Sequence, residues 1–392
     1  MPSLVRSAKC GLVLVGFSCL LLLEGGIHAA AAPAEPPAPP SVSAKAAVLI
    51  EAGTGRVLFA KNDRAPLAMA STTKIMTAML TLESGDLDSP FTVDPEAIKV
   101  EGSSMGLTEG DVVTKRALVY GMLLPSGNDA AGAGAVAVAG SIPAFVELMN
   151  RRAQELGLLD TLFVTPSGLD AGNHHSTAYD MAMLARAALR NPDFEIVCST
   201  ANGKVEFGNP VYTRWLKNSN KMLTSYSGAI GVKTGFTDLA GRCLVSAADR
   251  GGVRLIAVTL NDPNDWRDHT AMLDYGFATV QSNPLPYDFS ALRLNVAGGP
   301  DKNATVGVAP VQEPRACVDA SQLSGVTARV SLPRFIYAPF AAGRVVGRID
   351  FVYDGSVVFS TPLVTAEGLD ALIIEPPPTL FDRIRGFFGI ES

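Results

Sequence analysis

Three short motifs constrain this chain more than any other feature of its sequence. They are Ser71-Thr72-Thr73-Lys74, Ser126-Gly127-Asn128 and Lys233-Thr234-Gly235, and each pattern (Ser-x-x-Lys, Ser-x-Asn, Lys-Thr-Gly) occurs once. One Ser-x-x-Lys could arise by chance in a chain of 392 residues, whereas three motifs in this order are far more specific. The set is typical of serine enzymes that form an acyl intermediate, and that chemistry needs all three segments at one site.

The first motif pairs a nucleophile with a base. A serine hydroxyl is a poor nucleophile until a base takes its proton. Residues three apart face the same side of a helix, so Ser71 at a helix start can meet Lys74. Burial and the positive charge of Lys233 would lower the pKa of Lys74 and make it a base. The alternative is that Ser71 only caps the helix.

The second motif is predicted to transfer protons and hold substrate. Ser126 would relay a proton between Lys74 and the leaving amine. Asn128 would hold Lys74 and the substrate amide by hydrogen bonds. The structural alternative for residues 126–129 is a turn followed by a helix cap.

The third motif is predicted to bind the substrate. Lys233 and Thr234 could grip a substrate carboxylate by charge-assisted hydrogen bonds. The backbone N–H groups of Ser71 and of Phe236, which directly follows Gly235, could stabilise an oxyanion. The structural alternative is that this motif only ends a strand.

Residues 1–32 have the pattern of a secretory signal. Arg6 and Lys9 form a basic start, residues 11–23 are apolar, and residues 29–32 are alanines suited to cleavage. The apolar stretch is shorter than the ~20 residues that a membrane-spanning helix needs. We expect cleavage near residue 32, a flexible lead-in over residues 33–43, and secretion to the outer face of the membrane, the periplasm or the cell-wall space. A retained anchor is the alternative.

Composition argues against several other kinds of function. The net charge is −6, whereas nucleic-acid-binding proteins carry concentrated positive charge, so no nucleic-acid partner is expected. Cys198, Cys243 and Cys317, which follow the signal, are too widely spaced for a disulfide framework. Cys243 lies in a strand-like run and is predicted to be a small buried side chain.

The histidines offer no competing site. His174 and His175 lack the spacing that places two metal ligands on one helix face, and they are predicted to be loop residues. A Ser-His-Asp triad using either of them stays open, although no Gly-x-Ser-x-Gly elbow is present. We therefore predict neither a metal nor a cofactor.

Apolar periodicity predicts an α+β domain around the motifs. Helices are predicted over residues 71–83, 116–123 and 140–157. Strands are predicted over residues 46–50, 56–60, 243–248 and 253–260, the first two joined by Gly53-Thr54-Gly55 and the last two by Arg250-Gly251-Gly252. Strands at both ends with helices between them indicate one sheet that the terminal strands complete.

The pattern of apolar residues changes after about residue 283, where helical periodicity stops. Short alternating runs at residues 327–332, 345–352 and 356–364, with Asp354-Gly355 between the last two, predict a small all-β domain over residues 283–375. Residues 376–392 begin with three prolines, after which Thr379 to Ile390 follow. Their apolar stripe predicts a short amphipathic helix on the membrane surface, or else docked on protein; it comprises Leu380, Phe381, Ile384, Phe387 and Phe388.

The chain resembles the low-molecular-mass penicillin-binding proteins, the serine-type D-alanyl-D-alanine carboxypeptidases. The resemblance spans residues 44–369 and is carried by MASTTKIMTAML (69–80), GSSMGLTEGDVV (102–113), LLPSGNDAA (123–131), STAYDMAMLARAAL (176–189), GVKTGFTDLAGRCLV (231–245) and, more loosely, YAPFAAGRVVGRI (337–349). It implies a penicillin-recognising transpeptidase/β-lactamase-like domain over residues 44–282, an antiparallel sheet flanked by helices, followed by a β domain.

The resemblance also implies the reaction. Ser71 would be acylated by the penultimate D-alanine of a peptidoglycan stem peptide ending in D-Ala-D-Ala, terminal D-alanine would leave, and water would hydrolyse the ester. β-Lactam antibiotics would acylate the same serine.

Three alternatives remain at this point. A class A β-lactamase shares the motifs but uses a glutamate for deacylation, and the corresponding segment here, residues 161–167, holds no acid. A catalytically silent wall-binding protein is disfavoured by the intact motifs. An endopeptidase acting on cross-links stays open because it uses the same acyl chemistry. The sequence does not determine the preferred stem peptide, the biological stage of use or the oligomeric state.

Overall fold

The computed structural model of the chain describes residues 37–299, 301, 303–318 and 322–372. The predicted signal (1–32), the first part of the lead-in and the predicted amphipathic tail (376–392) lie outside the described residues.

The helices of the described residues lie almost entirely between the first two strands and residue 280. In chain order they are α1 Lys74–Glu83, α2 Lys115–Leu123, α3 Asn128–Ala139, α4 Ile142–Glu155, α5 Ala178–Ala188, α6 Pro192–Ser199, α7 Met222–Ser225 and α8 Asp265–Thr279. Short 3-10 turns occur at Ala70–Thr73, Phe289–Ala291 and Leu323–Gly325.

The strands fall into two groups separated by α8. The first group is β1 Ala46–Glu51, β2 Val57–Lys61, β3 Phe91–Thr92, β4 Val112–Val113, β5 Asn202–Gly208, β6 Val211–Lys217, β7 Ala229–Thr237, β8 Gly241–Arg250 and β9 Val253–Leu260. The second group is β10 Asn283–Pro284, β11 Arg293–Ala297, β12 Thr305–Pro310, β13 Arg315–Ala316, β14 Thr327–Ser331, β15 Phe335–Tyr337, β16 Val345–Tyr353 and β17 Ser356–Thr365.

An antiparallel sheet with the order β2-β1-β9-β8-β7 forms the centre of the first region. Its order confirms that strands from both ends of the predicted domain complete one sheet; Val48 of β1, for example, pairs with Val258 of β9. Successive side chains of a strand point to opposite faces. Accordingly, Val48 and Ile50 join the core beneath α1 to α6, whereas Leu49 joins the core beneath α8.

The sequence prediction missed the helices α3 and α5 to α8 of this region, and one of its sheets. Helix α3 consists mostly of alanine and glycine, so it has no apolar stripe, and its first eight residues are buried on all sides. Gly132 lets α3 approach a neighbouring segment, because a methyl group there would lie 2.0 Å from the Ala97 carbonyl oxygen. The missed sheet is antiparallel and has the order β3-β4-β5-β6.

The second region is built on a sheet with the order β14-β16-β17-β12-β11-β15. Its core is apolar and includes Val306, Ile349, Phe351 and Leu363. The hairpin β16–β17 turns at Asp354-Gly355, where both residues have positive φ (46° and 72°), as the tightest hairpin turns require. The prediction of a small β domain after the helical region is therefore confirmed.

Within the described residues, no single helix is long and apolar enough to span a membrane; α3 and α4 taken together meet the length and composition criteria but are bent by 84°.

Candidate active site

Ser71 lies in the 3-10 turn that leads into α1. The residues that precede the turn and the helix, Met69 and Thr73, make no side-chain capping hydrogen bond, and Ser71 is not at either capping position. Its Oγ instead accepts a hydrogen bond of 2.8 Å from Lys74 Nζ. The preceding Ala70 has a φ of 48°, a left-handed conformation that is unfavourable for alanine.

Lys74 has no exposed surface and is held by three acceptors. Its Nζ lies 2.8 Å from Ser71 Oγ, 2.7 Å from Asn128 Oδ1 and 2.7 Å from the Ser167 carbonyl oxygen. Burial, and after it the charge of Lys233, hold its pKa well below the usual value, although Asp129 opposes the shift. The buried amine therefore has both the position and the lowered basicity of a general base for Ser71.

The Ser126-Gly127-Asn128 segment forms the entry to α3. Asn128 uses both ends of its amide, because Oδ1 accepts from Lys74 and Nδ2 donates to the Glu101 carbonyl oxygen at 2.6 Å. Ser126 is buried with a φ of 68° and lines the same cleft as Ser71. The helix-capping interpretation is not supported, since Gly127 occupies the capping position without a side-chain bond.

Strand β7 carries the third motif along the other wall. Lys233 is completely buried, and its Nζ donates to the Thr234 carbonyl oxygen at 2.9 Å. Burial lowers the pKa of Lys233 to about 7. The Thr234 hydroxyl lies 2.8 Å from the Ser219 hydroxyl. Thr234 therefore faces the cleft, while the Lys233 side chain lies beneath it.

Gly235 allows β7 to approach the nucleophile. A methyl group at this position would lie 3.1 Å from the Ser71 backbone nitrogen and 3.2 Å from the Met69 carbonyl oxygen. Any larger residue would thus push β7 away from the turn. Phe236 follows with its side chain exposed.

These walls enclose an open cleft of about 370 Å³. Sequence reasoning missed part of its lining: Ser103, Ser219, Lys221, Arg242, Asp265 and Trp266. Arg242 makes two 2.8 Å contacts with Asp265. These lining residues come from separate segments of the chain, around residues 103, 220, 242 and 265, and no local pattern marks those segments as neighbours.

Two supporting groups were also missed. Asp129 accepts backbone N–H bonds from Met105, Gly106 and Leu107, which fixes the loop that contributes Ser103. An acidic residue in the first turn of a helix is a common pattern, so its sequence signal was weak. The other group is the Ser167 carbonyl, a backbone atom that every residue possesses.

The loop that contains Ser167 bears on the β-lactamase alternative. The acceptors that the described structure gives Lys74 are a hydroxyl, an amide oxygen and a backbone carbonyl, none of them a carboxylate. The segment of residues 161–167, in which a class A β-lactamase would be expected to carry its glutamate, instead contributes the Ser167 carbonyl as an acceptor for Lys74.

The histidines and cysteines are not grouped for metal binding. Among the described residues no cluster of three or more His, Cys, Asp or Glu could hold a metal ion. Cys198, Cys243 and Cys317 are free and buried, and Cys243 lies buried in β8, as its strand-like surroundings predicted. His174 and His175 lie in a loop as expected, but His174 is buried and its Nε2 lies 2.8 Å from the Thr73 hydroxyl.

Comparison with known families agrees with this arrangement. The sequence model of the D-alanyl-D-alanine carboxypeptidase family of serine peptidases matches residues 32–264, more than half of the chain. The model of the penicillin-binding protein 5 C-terminal domain matches residues 294–371.

Individual relatives extend the match over both regions. D-alanyl-D-alanine carboxypeptidase DacF of Bacillus subtilis is 33% identical over 337 residues, which is 83% of this chain and 86% of that protein. The crystal structure of the Streptomyces K15 DD-transpeptidase is 36% identical, covers 62% of this chain and 100% of its own, and has a TM-score of 0.59. That of D-alanyl-D-alanine carboxypeptidase DacD from Francisella tularensis is 27% identical, covers 86% and 95%, and has a TM-score of 0.59.

Proposed function

The chain belongs to the D-alanyl-D-alanine carboxypeptidase family of serine peptidases, and we propose that Ser71 is its nucleophile. The observation that carries this assignment is the 2.8 Å contact between Ser71 Oγ and the buried Lys74 amine at the edge of an open cleft. Ser71 attacks the carbonyl between the last two D-alanines of a stem peptide. Terminal D-alanine leaves, and water hydrolyses the ester. Penicillin acylates the same oxygen.

The partners of Lys74 orient it for proton transfer. As an ammonium, Lys74 donates to all three acceptors, including Ser71 Oγ; once it has lost a proton, the neutral amine has two N–H groups and one lone pair. Asn128 Oδ1 and the Ser167 carbonyl can only accept hydrogen bonds, so both hydrogens point towards them. The lone pair is left for Ser71, whose hydroxyl then donates its proton as its oxygen attacks.

The remaining proton steps use the second motif. Ser126 lines the cleft beside Ser71 and passes the proton from Lys74 to the departing D-alanine nitrogen. Asn128 keeps Lys74 in place and binds the substrate amide.

Strand β7 binds the substrate. Gly235 keeps the strand against the turn, so that the N–H groups of Ser71 and Phe236 stabilise the oxyanion. The Thr234 hydroxyl, paired with Ser219, receives the terminal carboxylate. Lys233 acts from beneath the strand through its charge when it is protonated.

The domain boundaries that we propose are residues 44–282 for the catalytic domain and 283–375 for the β domain. Helix α8 begins directly after the first family match, which ends at residue 264, but Met272 and Leu273 pack on the central sheet with Leu49. This packing supports ending the catalytic domain after α8.

The protein acts outside the cytoplasm, on peptidoglycan, as its family indicates. The export route is part of the proposal and is supported by the signal-like pattern of residues 1–32. Attachment to the membrane surface through residues 376–392 is proposed from their amphipathic pattern. Fractionation of cells that make the protein with and without residues 379–392 tests it, and equal partitioning of both forms would exclude the tail as an anchor.

The central experiment labels the purified mature protein with a fluorescent penicillin. We expect a covalent adduct at Ser71, and we expect Ser71→Ala to lose it while keeping its circular dichroism spectrum. Labelling that persists in Ser71→Ala would disprove the assignment.

A second measurement separates carboxypeptidase from endopeptidase activity. The enzyme should release D-alanine from a peptide ending in D-Ala-D-Ala and act more slowly when the terminal carboxylate is amidated. Equal rates on both peptides would favour an endopeptidase.

A further inference from the structure

We infer that His174 is a positioning residue for the proposed base. It fixes the loop that carries Ser167, whose carbonyl oxygen orients the Lys74 amine. The inference rests on the proposed function, because it concerns how the amine is aimed at the nucleophile.

The hydrogen bonds of the His174 ring determine its tautomer. Nδ1 accepts the backbone N–H of Val164 at 2.9 Å, so Nδ1 carries no proton. Nε2 must then carry it and donate to the Thr73 hydroxyl at 2.8 Å. That hydroxyl donates in turn to the Ala70 carbonyl oxygen at 2.8 Å. A continuous chain of hydrogen bonds thus links the loop to the turn that holds the nucleophile.

The same loop contacts α1 at successive positions. The Pro166 carbonyl oxygen accepts from the Thr77 hydroxyl at 2.6 Å, and the Ser167 carbonyl oxygen accepts from Lys74 at 2.7 Å. Gly168 lies directly on the backbone of the turn. The ring of His174 therefore sets the register between loop and helix on which the Ser167 contact depends.

The surroundings of the ring favour its neutral form. His174 is buried, and its ring meets Phe163 edge-on at 6.0 Å between centroids. Burial, and to a lesser extent the neighbouring His175, lowers its pKa to about 4. The ring is consequently neutral at the pH of the reaction, as the Nδ1 acceptor contact requires.

Loss of the ring would act on one step of the reaction. An apolar replacement leaves the Val164 N–H and the Thr73 hydroxyl without this partner, and the loop can shift. If the Ser167 carbonyl shifts, one N–H group of the neutral Lys74 amine loses its hydrogen-bond acceptor. The amine can then rotate, and its lone pair no longer faces Ser71 Oγ. Binding before acylation uses the β7 wall and should change little.

The test measures labelled-penicillin acylation of the mature full-length protein over a range of penicillin concentrations. His174→Leu should lower the limiting acylation rate by about 10²-fold, the size expected for a misplaced catalytic group, with the half-saturating concentration nearly unchanged. His174→Gln supplies an acceptor and a donor at similar positions and should recover most of the rate. His175→Leu, a neighbouring and less buried position, is the matched control.

A second pair of variants covers the case in which His174→Leu does not fold. Thr73→Val removes the hydroxyl that accepts the hydrogen bond from His174 Nε2, whereas Thr73→Ser retains it. Only the valine variant should therefore acylate slowly.

Several results would overturn the inference. They are equal losses in His174→Leu and His174→Gln, wild-type acylation in His174→Leu, or a defect confined to the half-saturating concentration. If wild-type protein is not labelled on Ser71, the proposed function fails and the inference fails with it. If wild-type protein is labelled and His174→Leu matches it, the inference alone fails.

Discussion

The side chains beneath the candidate cleft and those in the core of the C-terminal sheet are both well buried, but they are of opposite kinds. Lys74 and Lys233 have no exposed surface at the cleft. The C-terminal core contains apolar residues such as Ile349 and Leu363. Burial of apolar surface stabilises a fold by about 25 cal/mol per Å², whereas burial of an ammonium is unfavourable and drives it towards the neutral form. The first region thus gains reactivity from burial, and the second gains stability.

The two regions also differ in how unfavourable their backbone conformations are. Among the described residues, the non-glycine positions with positive φ are mostly Asn and Asp, including Asp354 at the C-terminal hairpin, and these tolerate that conformation. The exceptions are Ala70, which directly precedes Ser71, and Ser126, which lines the same cleft as Ser71. Unfavourable conformations of this kind cost roughly 1–3 kcal/mol and cluster at functional sites.

The largest effect should come from changing the buried amine. Lys74→Arg keeps the charge but cannot act as a base, because arginine stays protonated in proteins. Acylation by labelled penicillin should fall by roughly 10²–10⁴-fold. Lys217→Arg, at an exposed position, is the control. Near-normal acylation of Lys74→Arg would show that Lys74 is not the general base. The contrast between a region in which burial serves reactivity and one in which it serves stability would then fail.

Truncation of the apolar core should affect stability instead. Phe351→Ala should cost about 3–5 kcal/mol of unfolding free energy, because Phe351 is only 2% exposed and packs on Tyr287 and Phe359. Denaturant titration measures the loss, and Phe335→Ala, at a side chain 45% exposed, should cost much less. Acylation by the folded variant should be unchanged; a parallel loss of acylation would mean that the β domain supports the cleft.

The contact between loop and turn can be broken at a glycine. Gly168 has a φ of +84°, and a methyl group there would lie 1.9 Å from the Ala70 carbonyl oxygen. Gly168→Ala should therefore displace the loop and lower acylation by about 10²-fold. Gly172→Ala provides the matched control, since Gly172 also has positive φ (+50°) but nothing within 4 Å. Similar acylation by both variants would contradict the proposed role of the loop.

The last effect concerns stability as a function of pH. Because the folded-state pKa of Lys233 is about 7 and its unfolded value is about 10.4, the unfolded chain binds the proton more tightly. The burial penalty is therefore constant below pH about 7 and decreases as the pH rises from there towards the unfolded value. Lys233→Met removes this penalty.

The measurement is the unfolding free energy of Lys233→Met and wild-type protein across this pH range. The advantage of the variant over wild type should be greatest at pH 6 to 7 and shrink above it. A difference independent of pH would show that Lys233 is not buried as an ammonium at low pH.

Much of the framework was predictable from the sequence. Continuous apolar runs located β1, β8 and β9, apolar alternation located β16 and β17, and helical spacing of apolar residues located α1, α2 and α4. Helices α3 and α5 to α8 and the sheet β3-β4-β5-β6 were missed. Small side chains buried on all sides leave no stripe in α3, and two-residue strands such as β3 are too short to show a period.

The sequence by itself determined the reactive groups: a serine three residues before a lysine, an asparagine and a second lysine, each in a motif with a specific order. Only the tertiary structure decided their state. Whether Lys74 is a base depends on its burial, on the charge of Lys233 and on the hydrogen-bond acceptors around it. One of these acceptors, the Ser167 carbonyl, is a backbone group, so the residue type at position 167 does not predict it. The reason is physical, since pKa values and hydrogen-bond directions are set by atoms that are close in space and distant along the chain.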